Sequence, residues 1–322
     1  MFALRFERTG DLSALELVER PLPEPEPGDL VVCVVAAGLN PSDVKNVEGY
    51  FSYTTLPRTP GRDFSGIVAR GPAELVGTAV WGTGKELGFT RDGGHAEFVT
   101  VPIKGVARKP DALGFEEAAC VGVPYTTAWS ALERCGVSAG QNVVVTGATG
   151  AVGQAAVDLA TWRGAHVLGT VRRPAQRISL EARGVRAAVV EHAAALPEAV
   201  SSAFPGGADV VFDTTGAYLA EAVAALAVEG RIAVIAAPRG GNVEVPVLPL
   251  YRRGGVVVGV NSLLYDTTAC AKVLDRLGAA FAAGKLPPPR DFTVTPFSGA
   301  LAAYADVKAG SAGKRVLVMS RP

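Results

Sequence analysis

The clearest chemical signal in the chain is Gly147-Ala148-Thr149-Gly150-Ala151-Val152-Gly153, with glycines at the first, fourth and seventh places. It follows the apolar run Val143 to Thr146 and opens a helical stretch reaching Arg163. Small residues at such a turn let the backbone approach a phosphate, and the helix behind them offers unpaired N–H groups and a positive dipole end. The chemistry implied is the holding of a dinucleotide pyrophosphate. The spacing is not that of Gly-x-Gly-x-x-Gly, and tight strand-to-helix packing would use the same glycines. About 20 residues on, where a chain gripping the ribose hydroxyls of NAD carries Asp or Glu, the sequence reads Thr170-Val171-Arg172-Arg173-Pro174-Ala175-Gln176-Arg177. There is no acid in it. Guanidinium forks match phosphate oxygens, so Arg172, Arg173 and Arg177 are candidates for the 2′-phosphate of NADPH. An arginine cluster is otherwise a solvated surface, and Glu191, further along, would repel a phosphate unless it points away.

Metal chemistry has little to work with. Cys33, Cys120, Cys135 and Cys270 show none of the spacings of a zinc knuckle or redox pair, and His95, His166 and His192 are scattered. No metal ligands are assigned. Asn40 and Asp43 lie around Pro41, a common setting for turn formers.

These residues need elements to hold them. The chain has 322 residues, enough for two domains, with 31 basic and 31 acidic side chains. That balance argues against nucleic acid or an anionic membrane as partner. Apolar residues make up 48%, which excludes disorder. The longest apolar runs fall well short of the roughly 18 residues that cross a bilayer, and no leader is read at Met1 to Arg8, so a cytoplasmic protein is expected. Up to about residue 121 the pattern is one of short strands and turns: Leu30 to Ala37, Phe64 to Ala69, Thr78 to Trp81 and Ala96 to Val101. Over 122–261 continuous apolar strands alternate with helical stretches: Val143 to Thr146, His166 to Thr170, Ala187 to Val190, Asp209 to Phe212, Arg231 to Ala236 and Val256 to Val260. That is the signature of a parallel sheet covered on both faces. Over 262–322 a helix (Ala269 to Ala283), a strand (Phe292 to Pro296), a helix (Ser298 to Lys308) and a last strand (Arg315 to Ser320) return to complete the first domain. The fold class is therefore α/β, a β-rich domain plus a doubly wound parallel-sheet domain. So apolar a strand as Val256 to Val260 would be a hazardous open edge, and pairing with its copy in a homodimer would cover it.

In order along the chain stand Ala36-Ala37-Gly38-Leu39-Asn40-Pro41-Ser42-Asp43, Pro60-Gly61-Arg62-Asp63-Phe64-Ser65-Gly66, Gly94-His95-Ala96-Glu97-Phe98-Val99, Pro124-Tyr125-Thr126-Thr127-Ala128-Trp129, the glycine loop, Phe212-Asp213-Thr214-Thr215-Gly216 and Gly313-Lys314-Arg315-Val316. Together they resemble the quinone oxidoreductase (zeta-crystallin-like) branch of the medium-chain dehydrogenase/reductase superfamily. The resemblance implies a GroES-like substrate domain, a Rossmann domain, and NADPH-dependent reduction of a quinone or of an alkene conjugated to a carbonyl. It places Asn40 and Asp43 at the substrate, Asn40 as a hydrogen-bond donor to a carbonyl or the nicotinamide and Asp43 as the residue holding that loop. It places Thr127 against the nicotinamide, and Thr214, Thr215 and Lys314 with the cofactor. Turn formation by Asn40 and Asp43 and helix capping by Thr127 remain open beside these roles. Zinc-dependent relatives carry Gly-His-Glu where this chain has Gly61-Arg62-Asp63, so the resemblance implies zinc independence. Two other functions stay in view: an enoyl-thioester reductase, and a low-turnover NADPH-binding sensor.

Overall fold

A computed structural model describes residues 1–238, 240–310 and 313–319. The chain divides into two compact units, one formed by Met1–Thr126 with Ser262–Pro322 and the other by Thr127–Asn261. The outgoing boundary falls at Thr126/Thr127 rather than at 121/122, because the start of the helix Gly122–Arg134 is tied into the first unit: the Val123 N–H donates to Asp63 Oδ1 at 2.8 Å.

In the first unit, strands Phe292–Pro296, Lys314–Val318, Asp29–Leu39, Asp63–Arg70, Ala79–Gly82 and Ala107–Arg108 follow one another in a single sheet, with Phe98–Pro102 added to Asp29–Leu39. Their β-branched and apolar residues alternate inward. Leu30, Val32, Val34, Phe64, Val99, Val101 and Leu317 bury against Leu4, Phe6 and Tyr304 in one core. All pairs but one are antiparallel; Phe292–Pro296 runs parallel to Lys314–Val318. The return segment supplies these two strands, so it completes the sheet. The expected end of the last strand, Ser320, lies outside the described residues.

In the second unit six strands are parallel throughout, in the order Arg186–Val189, His166–Val171, Asn142–Thr146, Ala208–Asp213, Leu226–Val234, Val256–Gly259. Numbered along the chain, that is 3-2-1-4-5-6, the doubly wound arrangement whose ligand crevice opens at the carboxyl ends of the first and fourth strands. The strands are apolar end to end because helices cover both faces. The fifth strand starts at Leu226, earlier than the expected Arg231. A register shift between Ala208 and Val210 lets Leu226 pair before the turn at Glu229, which sits at φ 61°. The sixth pairs on one side only among the described residues, and Val256 and Val257 are 45% and 40% exposed.

Candidate functional site

The crevice of the second unit is built by two strand ends. At the first, Gly147 turns with φ +64°, a conformation glycine adopts freely. A Cβ there would also lie 2.6 Å from Thr214 Oγ1. A Cβ on Gly153 would come within 2.2 Å of the Gly147 carbonyl oxygen, so that glycine is needed for the helix Ala151–Trp162 to sit close under the loop. Ala148 is fully buried, Val152 is half-buried in the first turn, and Gly150 is the residue from which the helix starts. No side chain caps that start, which leaves its first N–H groups for an anion. The helix start thus offers a cradle of backbone donors, and a Cβ at Gly147 or Gly153 would clash with the packing that builds it.

At the fourth strand's end, fully buried Asp213 organises the opposite wall. Its Oδ1 accepts from Thr146 Oγ1 (2.8 Å), the Thr215 N–H and Oγ1 (2.9 Å each) and the Gly216 N–H (3.2 Å), while Oδ2 accepts from the Tyr218 N–H (3.1 Å). Thr214 Oγ1 donates back to the Thr146 carbonyl at 2.7 Å. A buried carboxylate held by this many N–H and O–H donors is satisfied without a cation. Thr214, held by Thr146, and Thr215, held by Asp213, are thus fixed facing the glycine loop, and Asp213 is a residue sequence reasoning did not single out. Its signal was an acid directly after the apolar run Val210 to Phe212.

Past the second strand, Arg172 and Arg173 are exposed and form no side-chain hydrogen bond or ion pair among the described residues. Arg177 differs: its Nε donates to Glu181 Oε1 at 2.7 Å one helical turn on, so its charge is already engaged. Burial pushes the Tyr218 phenol up, and the nearby Arg172 charge pulls it part of the way back. Glu191 is exposed. Thr127 is buried inside its helix, not at a cap, and its hydroxyl has no partner among the described residues, while Thr126 Oγ1 donates to the Gly122 carbonyl at 2.8 Å. A dinucleotide suits this unit on three observations: the cradle, the unengaged guanidinium pair and the orphaned hydroxyl.

The first unit brings Asn40, Asp43, Asp63 and Lys314 together out of solvent. Pro41 opens the helix Pro41–Val47, and Asp43 Oδ2 accepts from the Asn40 N–H at 2.8 Å, so Asp43 holds the loop in a capping arrangement. The structure gives the Asn40 side chain other partners than the expected carbonyl. Its amide donates to Asp63 Oδ2 (2.9 Å) and weakly to the Gly38 carbonyl (3.4 Å), and its Oδ1 accepts from Lys314 Nζ. Lys314, expected with the cofactor, is instead buried here, 3.0 Å from Asp63 Oδ2. An ammonium removed from water needs a carboxylate beside it, and Asp63 is that partner. Asp43 has no such partner; burial and the Asp63 charge push its carboxyl up to about 7, against weaker pulls from the Asn40 N–H and Lys314. Behind it, His95 Nδ1 lies 2.7 Å from Tyr304 Oη, and burial lowers the imidazole to about 3, which keeps it neutral.

Arg62, 1% exposed, donates to the Gly84 carbonyl (3.2 Å) and to Ser262 through Oγ (3.1 Å) and the carbonyl (3.3 Å). Two adjacent residues therefore hold both ends of the excursion into the second unit: Asp63 binds Val123 where the chain departs, and Arg62 binds Ser262 where it returns. Tyr53 is half-exposed and stacks on Phe89, with ring centroids 5.6 Å apart; Tyr50 is exposed.

The family described as "Alcohol dehydrogenase GroES-like domain" matches residues 26–111, and the one described as "Zinc-binding dehydrogenase" matches residues 151–278. A zinc-type alcohol dehydrogenase-like protein of Schizosaccharomyces pombe is 40% identical over 84% of this chain and 81% of its own length. A 2-methylene-furan-3-one reductase of Solanum lycopersicum is 27% identical over 100% of this chain and 80% of its own. A phthioceranic/hydroxyphthioceranic acid synthase of Mycobacterium tuberculosis is 31% identical over 98% of this chain, which spans only 15% of that enzyme. Among solved structures, an NAD-dependent alcohol dehydrogenase superposes with TM-score 0.90 at 29% identity, covering 99% of this chain and 100% of that one. A mycobacterial protein complexed with NADPH superposes with TM-score 0.84 at 26% identity, covering 99% of each. The second family description implies zinc, and the residues do not fit it. Among the described residues no group of three or more His, Cys, Asp or Glu is placed to hold a metal ion, and Arg62 and Asp63 are engaged as anchors. Two-domain matches in the right order, a relative at 40% identity and a full-length superposition place this chain in the medium-chain dehydrogenase/reductase superfamily, as an oxidoreductase with a GroES-like unit and a Rossmann unit.

Proposed function

We propose that the chain is a zinc-independent, NADPH-dependent reductase of a quinone or of an alkene conjugated to a carbonyl. The observation that carries this reading is the Gly61–Asp63 turn, whose side chains serve as anchors and offer no metal ligand set. An alcohol oxidation would lack the Lewis acid that stabilises an alkoxide, whereas an acceptor already activated by conjugation takes a hydride with less help. The kinship with a furanone reductase, and the fold shared with a protein complexed with NADPH, support the same acceptor and cofactor.

When bound, NADPH supplies a hydride to an electrophilic carbon of the acceptor, and water supplies the accompanying proton. The glycine loop and the helix start behind it hold the pyrophosphate, Arg172 and Arg173 receive the 2′-phosphate, and the Thr127 hydroxyl takes a polar atom of the nicotinamide end. Asn40 acts through its neighbours, as a positioning residue that ties Asp63 to Lys314 and so fixes the turn at residues 61–63.

An enoyl-thioester acceptor is the second reading, favoured by the match to a segment of an acid synthase. The test is NADPH oxidation with a panel of quinones, enones and enoyl thioesters, alongside elemental analysis. Steady turnover of a quinone or enone by zinc-free protein is the expected result. Tight NADPH binding without reduction of any acceptor would leave a sensor, and stoichiometric zinc lost together with activity on chelation would refute the zinc-free reading.

A further inference from the structure

We propose that Gln176 is a positioning residue that couples recognition of the cofactor's pyrophosphate to recognition of its 2′-phosphate. The inference rests on the dinucleotide reading above and names the regulation of that site's specificity. Gln176 is the third residue of the helix Pro174–Glu181, and its side-chain amide is engaged at both ends. Its Oε1 accepts from the Arg173 N–H at 3.2 Å, and its Nε2 donates to Thr149 Oγ1 at 3.1 Å. One planar group therefore spans the glycine loop after the first strand and the arginine turn after the second.

Two consequences follow from donor and acceptor rules. A hydroxyl that accepts from Gln176 turns its own hydrogen elsewhere, so Thr149 keeps a donor for a phosphate oxygen. Thr149 is held from the other side as well, since Gln154 Nε2 donates to its carbonyl at 3.1 Å. The backbone carrying Arg172 and Arg173 is pinned at the Arg173 N–H, while both guanidiniums stay unengaged. Charge-assisted contacts to phosphate depend on placement, and pinning the turn to the loop fixes the spacing between the two phosphate-binding groups. A residue that merely stabilised the unit would affect both dinucleotides alike.

The experiment measures dissociation constants of NADPH and NADH by calorimetry for wild type, Gln176→Leu, Thr149→Val and the double variant. Gln176→Leu should weaken NADPH roughly tenfold, about the value of one charge-assisted hydrogen bond, and NADH by less than about threefold. The Thr149→Val loss should shrink in the Gln176→Leu background, because the two residues act as a unit. Should Gln176→Leu not fold, Gln176→Met serves, since it is similar in length and removes both contacts; NADPH should again weaken by more than NADH. Equal losses of NADPH and NADH in Gln176→Leu or Gln176→Met, or additive effects in the double variant, overturn the proposal. A wild type that binds neither dinucleotide overturns the functional reading and this inference together, whereas binding without coupling overturns only the inference.

Discussion

Asp43 should make the folded protein less stable as the pH rises from about 4 to about 7, and Asp43→Asn should remove that dependence. Its carboxyl sits beside Asp63 with no cation of its own, and titrates at about 7 rather than the ordinary 3.8. A folded-state pKa above the unfolded one means that the native state binds the extra proton between those two values. Stability contributed by the protonated group is then complete below about pH 4 and is lost progressively up to about pH 7. A difference of roughly three pKa units, at about 1.36 kcal/mol each, corresponds to about 4 kcal/mol. Asparagine is nearly isosteric and still offers an oxygen to the Asn40 N–H, so the capping bond survives while the charge does not. The Asp63–Lys314 pair stays intact in both proteins. Urea unfolding of wild type and Asp43→Asn at matched ionic strength, from pH 5 to pH 8, measures the difference. The advantage of Asn should grow by about 1.4 kcal/mol for each pH unit until it levels near pH 7. A difference that stays flat with pH would show that Asp43 is ionised throughout and that the cluster is more open than its burial implies.

Removing the partner of a buried charge is the harsher perturbation: Lys314→Met should cost roughly 3–5 kcal/mol of unfolding free energy, and a loss under 1 kcal/mol would mean that Asp63 does not depend on Lys314. Replacing Arg172 and Arg173 together with Ala should lower the kcat/KM preference for NADPH over NADH roughly ten- to hundredfold, the lower end reflecting their exposure; a retained preference would make them ordinary surface charges. The edge strand Val256–Gly259 should pair with its copy in a homodimer, so light scattering should give twice the chain mass and Val257→Lys should shift it toward the monomer. A wild-type monomer at micromolar concentration would refute the pairing.

The legibility of the chain follows the range over which each feature is decided. The six strands of the second unit could be read because burial on both faces makes each a continuous apolar run, and the glycine loop because its steric demands are met within a few residues. The turn at Arg172 to Gln176 was also local, yet only the structure showed Arg177 engaged with Glu181 and Gln176 bridging to Thr149. Lys314 and Asn40 were visible as types, but not as partners of each other and of Asp63. The lysine lies 251 positions from Asp63 and 274 from Asn40, and nothing local says that a buried ammonium will meet them.

Arg62 and Asp63 show why that distinction matters for function. As types, an arginine and an aspartate after glycine say only that no histidine stands there. As placed groups, they hold the residues at which the chain leaves the first unit and comes back to it, across 60 positions to Val123 and 200 to Ser262. Residues doing that work in the folded state have their polar atoms engaged within the protein, and this is the ground on which the zinc-free reading is proposed. Asp213 is engaged in the same way, its oxygens accepting from Thr146, Thr215, Gly216 and Tyr218 within its own wall of the crevice. Among the described residues the Thr127 hydroxyl and the guanidiniums of Arg172 and Arg173 have no side-chain partner, and so these are the groups the proposed dinucleotide reading assigns to the ligand.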